Sequence, residues 1–363
     1  MNTAAKGGGV RQLTWLLVWA VVFCDIGTSV YYVPGILYDR FGSLAPFFVL
    51  ITAFGFVLLA FKYVEIVQRT PQGGGVVAIG DMAFGETIGA LGGMFIVVDF
   101  FLTCAISSVS GFYYLSSVFE SLAGNIPLFA CVALGLLALV NIRGLRESAA
   151  LSLLMAASAL VTNLVVVVVM VVQLSPAEWK AMLAIFEGAG HLTGRELLIG
   201  FGAGWLAFSG LETISQLAPV MREPLGKTAR LAMIGVVVTV LVTSPTLALL
   251  SVGVLPGAAA SGAIDAVESE RMISQLASLA GGNLGSLLSL AVVATAAALL
   301  LFAANTAIIG TYHVFLALSE RRYFPNRLKA RHSRYNTPYK AIILATAVPI
   351  AVILVTQGRM DTL

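Results

Sequence analysis

The feature that most constrains this chain is a succession of about nine long apolar runs, near residues 12–38, 44–67, 88–119, 126–141, 148–173, 196–220, 229–254, 284–317 and 339–356. A helix needs about 20 apolar residues to cross a bilayer core of about 30 Å, so runs of this kind read as membrane spans. They are apolar on all sides and lack strand-like alternation, which argues against a β-barrel. Of the 363 residues 59% are hydrophobic and only 11% charged, with a mean hydropathy of +0.95. That is too little polar surface for a soluble fold. The run after Arg11 is too long for a signal-peptide core and lacks a cleavage site. Cys24, Cys104 and Cys131 all lie in apolar runs and read as small buried hydrophobes, not as a disulfide scaffold or a metal-ligand set.

With the N-terminus inside, 16 of the 21 Lys and Arg residues fall in inner segments, including Lys6, Arg11, Arg146 and the run from Arg321 to Lys340. The positive-inside rule then expects a cytoplasmic N-terminus in the cytoplasmic membrane. The basic run reads as a cytoplasmic loop and not as a nucleic-acid patch, because no separate soluble domain surrounds it. The expected organisation is a cytoplasmic tail over 1–11 and a transmembrane domain over 12–356, with a short end at 357–363. Ending after nine spans reads as a fragment of a ten- or twelve-helix protein. The sequence sets no oligomeric state.

Three acids fall well inside spans: Asp25, Asp99 and Glu212. An ionised carboxylate at bilayer depth costs at least a few kcal/mol, so it persists where a partner, a cavity or protonation offsets the cost. For Asp25 and Asp99 function outweighs a structural hydrogen bond. For Glu212 the two readings balance, since an acid beside a helix break can simply cap freed amides.

The first span contains DIGTSVYYVPG, Asp25 to Gly35, where Gly27, Thr28 and Ser29 are poor helix formers and Pro34 lacks a backbone donor. The sixth contains Ser209-Gly210 near its middle with Glu212 just beyond. Backbone groups freed at membrane depth persist only where protein or a solvated cavity satisfies them. Two broken spans, five apart and each with an acid at the break, point to an inverted-repeat secondary transporter, with repeats at about 12–173 and 196–356. Glycines for close helix packing would explain one such span, but two favour the transporter. In the third span Asp99, Thr103 and Ser107 are spaced by four and line one helical face. Taken alone, the two hydroxyls more often bond back to their own helix. Asp25 and Tyr32, seven apart, would share a face if the first helix were continuous.

These segments resemble the amino acid–polyamine–organocation (APC) superfamily, whose members have the leucine-transporter-type fold of five plus five inverted helices. Ile26 to Gly35 resembles its permease signature and Lys62 to Gly75 its link between the second and third helices. Phe208 to Glu212 resembles its broken sixth helix, and Ala303 to Pro325 its eighth helix and the following loop. The resemblance implies an all-α membrane transporter whose tenth helix is missing from this chain. Two branches compete. In amino acid permeases, Gly27, Thr28, Ser29 and Ser209 would stand where backbone groups hold the substrate's carboxylate and amine. Proton-coupled bacterial potassium importers carry an acid and a tyrosine seven apart, matched by Asp25 and Tyr32, and then an acid and hydroxyl ladder, matched by Asp99, Thr103 and Ser107. PQGGG and NIRGLRESA also look like that branch. Phe100 stands where the importers place a tyrosine, and Ser148 to Val172 lacks the lysine of some proton-coupled permeases.

The resulting expectation is proton-coupled alternating access for a small solute or ion. An amino acid or amine comes first and potassium is the close alternative. Gly27, Thr28, Ser29, Tyr32, Thr103, Ser107, Ser209 and Gly210 would contact substrate. Asp25, Asp99, Glu212, Asn305 and Thr306 would serve proton or cation coupling. No cofactor or metal is expected; the proton is the coupling ion, and sodium stays open beside it. Asn305 and Thr306 have helix-to-helix hydrogen bonding as an equal reading, and His313 is a second titratable candidate near the end of the eighth span. Gly73 to Gly75 are no phosphate loop, since no Gly-Lys-Ser/Thr follows. An intramembrane enzyme has little support, because there is no His-Glu-x-x-His pair and no Gly-x-Ser-x-Gly elbow. A channel is the third class, separable by uphill flux.

Overall fold

The structure is a computed structural model and describes residues 13–144, 149–360 and 362. The tail at 1–11 and residues 145–148 of the NIRGLRESA segment, Arg146 among them, lie outside the described residues. Among the described residues, fourteen α-helices follow one another along the chain. The first span is α1 (Trp15–Ile26) and α2 (Val33–Phe41), followed by α3 (Ala45–Arg69), the short α4 (Gly75–Phe84), α5 (Glu86–Ser116), α6 (Ile126–Ile142) and α7 (Ala149–Gln173). After the short α8 (Pro176–Leu183) come α9 (Gly194–Gly204) and α10 (Thr213–Gln216), then α11 (Leu225–Ala260), the short α12 (Met272–Ser278), α13 (Gly282–Glu320) and α14 (Tyr339–Thr356). Among the described residues there is no strand, only an isolated bridge between Leu13 and Met221.

Among the described residues, eight helical stretches are long and apolar enough to cross a membrane. One of them, Trp15–Arg69, contains a turn at Gly42, whose φ of 56° is open to glycine, so it holds two of the nine expected runs. The outward faces carry large apolar side chains, including Phe54 at 74%, Phe95 at 68% and Val355 at 84% exposed. A soluble protein would bury such groups; a bilayer solvates them. The protein is an all-α integral membrane protein.

The packed interior lies between α1, α3, α5, α7, α11 and α13. The axis of α13 comes close to α5 because Gly310 leaves room for the Phe100 ring: a Cβ there would stand 2.6 Å from it. Phe100, which stands where the importers place a tyrosine, is buried in that helix interface. The α4 helix, which has no counterpart among the expected runs, is held by Asp81, which accepts from Arg321 Nε at 2.7 Å at the end of α13.

Candidate functional site

Both expected breaks are present. Between α1 and α2 the chain tightens into a 3₁₀ turn over Gly27–Tyr31 instead of unwinding. The hydroxyls of Thr28 and Ser29 account for this. Thr28 donates to the Asp25 carbonyl at 2.6 Å, and Ser29 reaches the Ile26 carbonyl at 2.7 Å. Such back-bonding competes with the α-helical ladder, and three residues is the 3₁₀ spacing. Pro34, within the first turn of α2, needs no donor there. In the sixth span the break is wider. After α9 comes a 3₁₀ turn over Trp205–Phe208, then Ser209 in extended conformation and Gly210 at φ 106° before α10 starts.

The two breaks confront each other. Ser29 Oγ also lies 2.7 Å from the Ala207 carbonyl, across 178 residues of chain. Gly210 abuts Asp25 so closely that a Cβ on it would stand 3.0 Å from the carboxyl carbon. The Asp25 carboxyl, 5% exposed in the last turn of α1, accepts a hydrogen bond from Thr213 Oγ1 at the start of α10. Tyr32, also buried, lies beside Asp25 and Asp99.

From the other side α5 presents Asp99. Both of its carboxylate oxygens lie within reach of Ser209 Oγ, at 3.1 and 3.0 Å. Thr103 and Ser107 follow on the same face, both buried. Ser107 Oγ has no protein partner, whereas its neighbour Ser108 bonds back to the Ala105 carbonyl at 3.0 Å. The Ser107 hydroxyl therefore does not follow the back-bonding expectation.

The Glu212 carboxyl lies close to the backbone of Gly210 and of Glu212 itself, but no side-chain hydrogen bond of Glu212 caps α10. Its Oε1 is buried without a hydrogen-bond partner. Two cavities meet at this side chain. One, of about 630 Å³, is lined by Tyr63, Asp99, Phe208, Ser209, Glu212 and, among others, Arg40. The second, of about 410 Å³, is lined by Gly73, Gly74, Gly75, Glu212, Pro219 and His313 among others.

Asn305 and Thr306 are engaged elsewhere. Asn305 Oδ1 accepts from Asn141 Nδ2 of α6 at 2.6 Å, and Thr306 donates to the Phe302 carbonyl at 3.2 Å. Two residues escaped the sequence reading. Thr213 follows the acid directly and supplies the donor to Asp25. Tyr63 lies next to Glu212 and Asp99 from α3, in a segment read as a link between helices. Flanked by Lys62 and Glu65 at the polar end of its helix, it carried no signal that set it apart. Among the described residues no group of three or more His, Cys, Asp or Glu side chains could hold a metal ion.

Comparison with known proteins fits this geometry. The potassium transporter KimA of Bacillus subtilis is 26% identical over 96% of this chain and 58% of its own length. An uncharacterized amino acid permease of the same organism, YecA, is 24% identical over 59% of this chain and 49% of its own. The uncharacterized transporter Rv1999c of Mycobacterium tuberculosis is 29% identical over 80% of this chain and 62% of its own. The chain thus spans about half to three fifths of the length of these relatives. Residues 12–362 match the amino acid permease family, part of the APC superfamily, and the chain belongs to that family.

Proposed function

We propose that this chain forms the transport core of a secondary active transporter that couples a small monovalent cation, K⁺ or a primary amine, to protons by alternating access. The observation that carries this reading is the convergence of Asp25 and Asp99 on opposite sides of the sixth-span break, each bound by a hydroxyl of that break. Two carboxyls flanking one break repel an anionic group unless one of them is protonated, but they suit a cation or a carried proton. Hydroxyls of Tyr32, Thr103, Ser107 and Ser209, with carbonyls beside Gly27 and Gly210, supply the oxygens a dehydrated cation requires. Asp25 or Asp99 carries the proton, and Glu212 stands between the chamber and the second cavity. The similarity to a protein named as a potassium transporter supports K⁺. A zwitterionic amino acid is the second reading, favoured by the intact Gly27-Thr28-Ser29 signature and the family. The Thr28 and Ser29 hydroxyls are occupied by carbonyls, so on that reading backbone amides would have to hold its carboxylate.

In this proposal the N-terminus is cytoplasmic, in the cytoplasmic membrane. The repeats run over about 12–173 and 196–356, and a bundle built on α1 to α3 and α9 to α11 rocks against the rest. The test is uptake into vesicles carrying the complete gene product, with labelled Rb⁺, a primary amine and a panel of amino acids, under an imposed pH gradient. Saturable, gradient-driven Rb⁺ or amine uptake is expected, with Asp25→Asn abolishing the pH-driven component while the protein stays folded. Undiminished pH-driven uptake by Asp25→Asn overturns the role of that acid; uptake of zwitterions alone overturns the cation reading.

A further inference from the structure

A separate cavity lies on the outer surface of the bundle, away from both breaks. It measures about 550 Å³ and is lined by Gln68, Gly226, Lys227, Arg230, Leu231 and Ile234. Its walls are the end of α3 and the first turns of α11, joined where the Gln68 amide rests against Gly226, with 2.8 Å left for a Cβ at the glycine. The upper part is cationic. Lys227 and Arg230 are both exposed, and neither takes part in an ion pair among the described residues, whereas Lys62 and Arg69 nearby on α3 share Glu65. The one carboxylate at this helix start, Glu223, accepts from the Leu225 amide at 3.0 Å.

The lower part is apolar and aligned. Leu231, Ile234, Val238 and Val242 are 38%, 42%, 55% and 46% exposed and follow one another at spacings of three and four, so they form a single stripe on α11. Lys227 begins that stripe. A pair of cations at a helix end, with an apolar track running from them along a membrane-spanning helix, matches a molecule that is anionic at one end and hydrocarbon along its length.

The geometry points to a binding site for one anionic phospholipid, its phosphate held by Lys227, Arg230 and the Gln68 amide and an acyl chain lying along Leu231 to Val242. Basic pockets between membrane helices hold such headgroups by this charge pairing. A soluble phosphate would use the cations but leave the stripe uncovered, so the acyl chain is part of the recognition. Of the two walls, α11 follows the broken sixth span directly and α3 packs against that span, so the lipid sits on the outer edge of these helices, away from the breaks themselves.

The test is native mass spectrometry of the purified full-length chain in detergent, titrated with dioleoyl phosphatidylglycerol or with dioleoyl phosphatidylcholine. The wild type is expected to retain phosphatidylglycerol in preference to the neutral lipid. Each basic group near an anionic headgroup is worth about five-fold in affinity, so the double variant Lys227→Gln/Arg230→Gln should weaken retention by about 10- to 30-fold. The double variant Arg327→Gln/Lys329→Gln, with the same change in net charge at a different loop, should retain the lipid as the wild type does. Equal retention of both lipids, equal loss in the two double variants, or displacement of the lipid by glycerol phosphate at equal concentration would overturn the proposal.

Discussion

Gly210 shows how little room the site leaves. Its φ of 106° is a conformation that side chains rarely adopt, and the space where a Cβ would go is already taken by the Asp25 carboxyl. Gly210→Ala is therefore expected to cost about 1–3 kcal/mol from the backbone alone. It should also push α10 away from Asp25, lowering the melting temperature in a detergent thermal-shift assay and eliminating uptake together. A variant that melts normally and transports normally would show that this contact is dispensable. The same crowding explains why the acids were legible and their surroundings were not. An aspartate in an apolar run is conspicuous by composition. That Thr213 turns its hydroxyl to Asp25, or that Tyr63 reaches Asp99 and Glu212 from another helix, depends on helix rotation and crossing, which no local pattern encodes.

At the scale of elements, the interruptions were visible because Gly27, Thr28, Ser29 and Pro34 all oppose a continuous helix. What they do instead was hidden, since the 3₁₀ turn arises from hydroxyl-to-carbonyl bonds of Thr28 and Ser29 and not from missing ones. The α4 helix was missed because ten residues fall below the length of a span and its anchor, Arg321, lies 240 residues away. One long-range bond reaches the first break from α5. Tyr114 of α5 donates to the Tyr31 carbonyl at 2.9 Å, and its hydroxyl lies beside the Ile273 backbone of α12. Tyr114→Phe orphans that buried carbonyl, at a cost of about 1–3 kcal/mol. Faster hydrogen exchange in α12 and a lower melting temperature are expected, and unchanged exchange there would remove the tyrosine from this role. The α8 helix offers a pH prediction. Its Glu178 carboxyl accepts from the Ser175 amide at 2.7 Å and from the Ser175 hydroxyl at 2.6 Å, which holds it below the usual carboxylate range. A lowered value in the folded state means that this cap stabilises the helix at neutral pH and is lost as pH falls through it. Exchange of the α8 amides, corrected for intrinsic rate, should accelerate on acidification in the wild type but show no such pH dependence in Glu178→Ala.

For the whole molecule, family membership and the all-helical architecture could be read from hydropathy and a handful of short motifs. The arrangement of its hollows could not, because each is walled by residues from several helices. Glu212 belongs to both hollows, and that has a consequence for leakage. Where the Glu212 carboxyl, together with Ile96, forms the wall common to two chambers, insulation and conduction are functions of the same few atoms. Shortening it with Glu212→Ala should merge the chambers and produce a short circuit: downhill flux that persists when the pH gradient is collapsed, measurable as an uncoupled current in planar bilayers. A tight but inactive Glu212→Ala protein would place the barrier in the surrounding backbone instead.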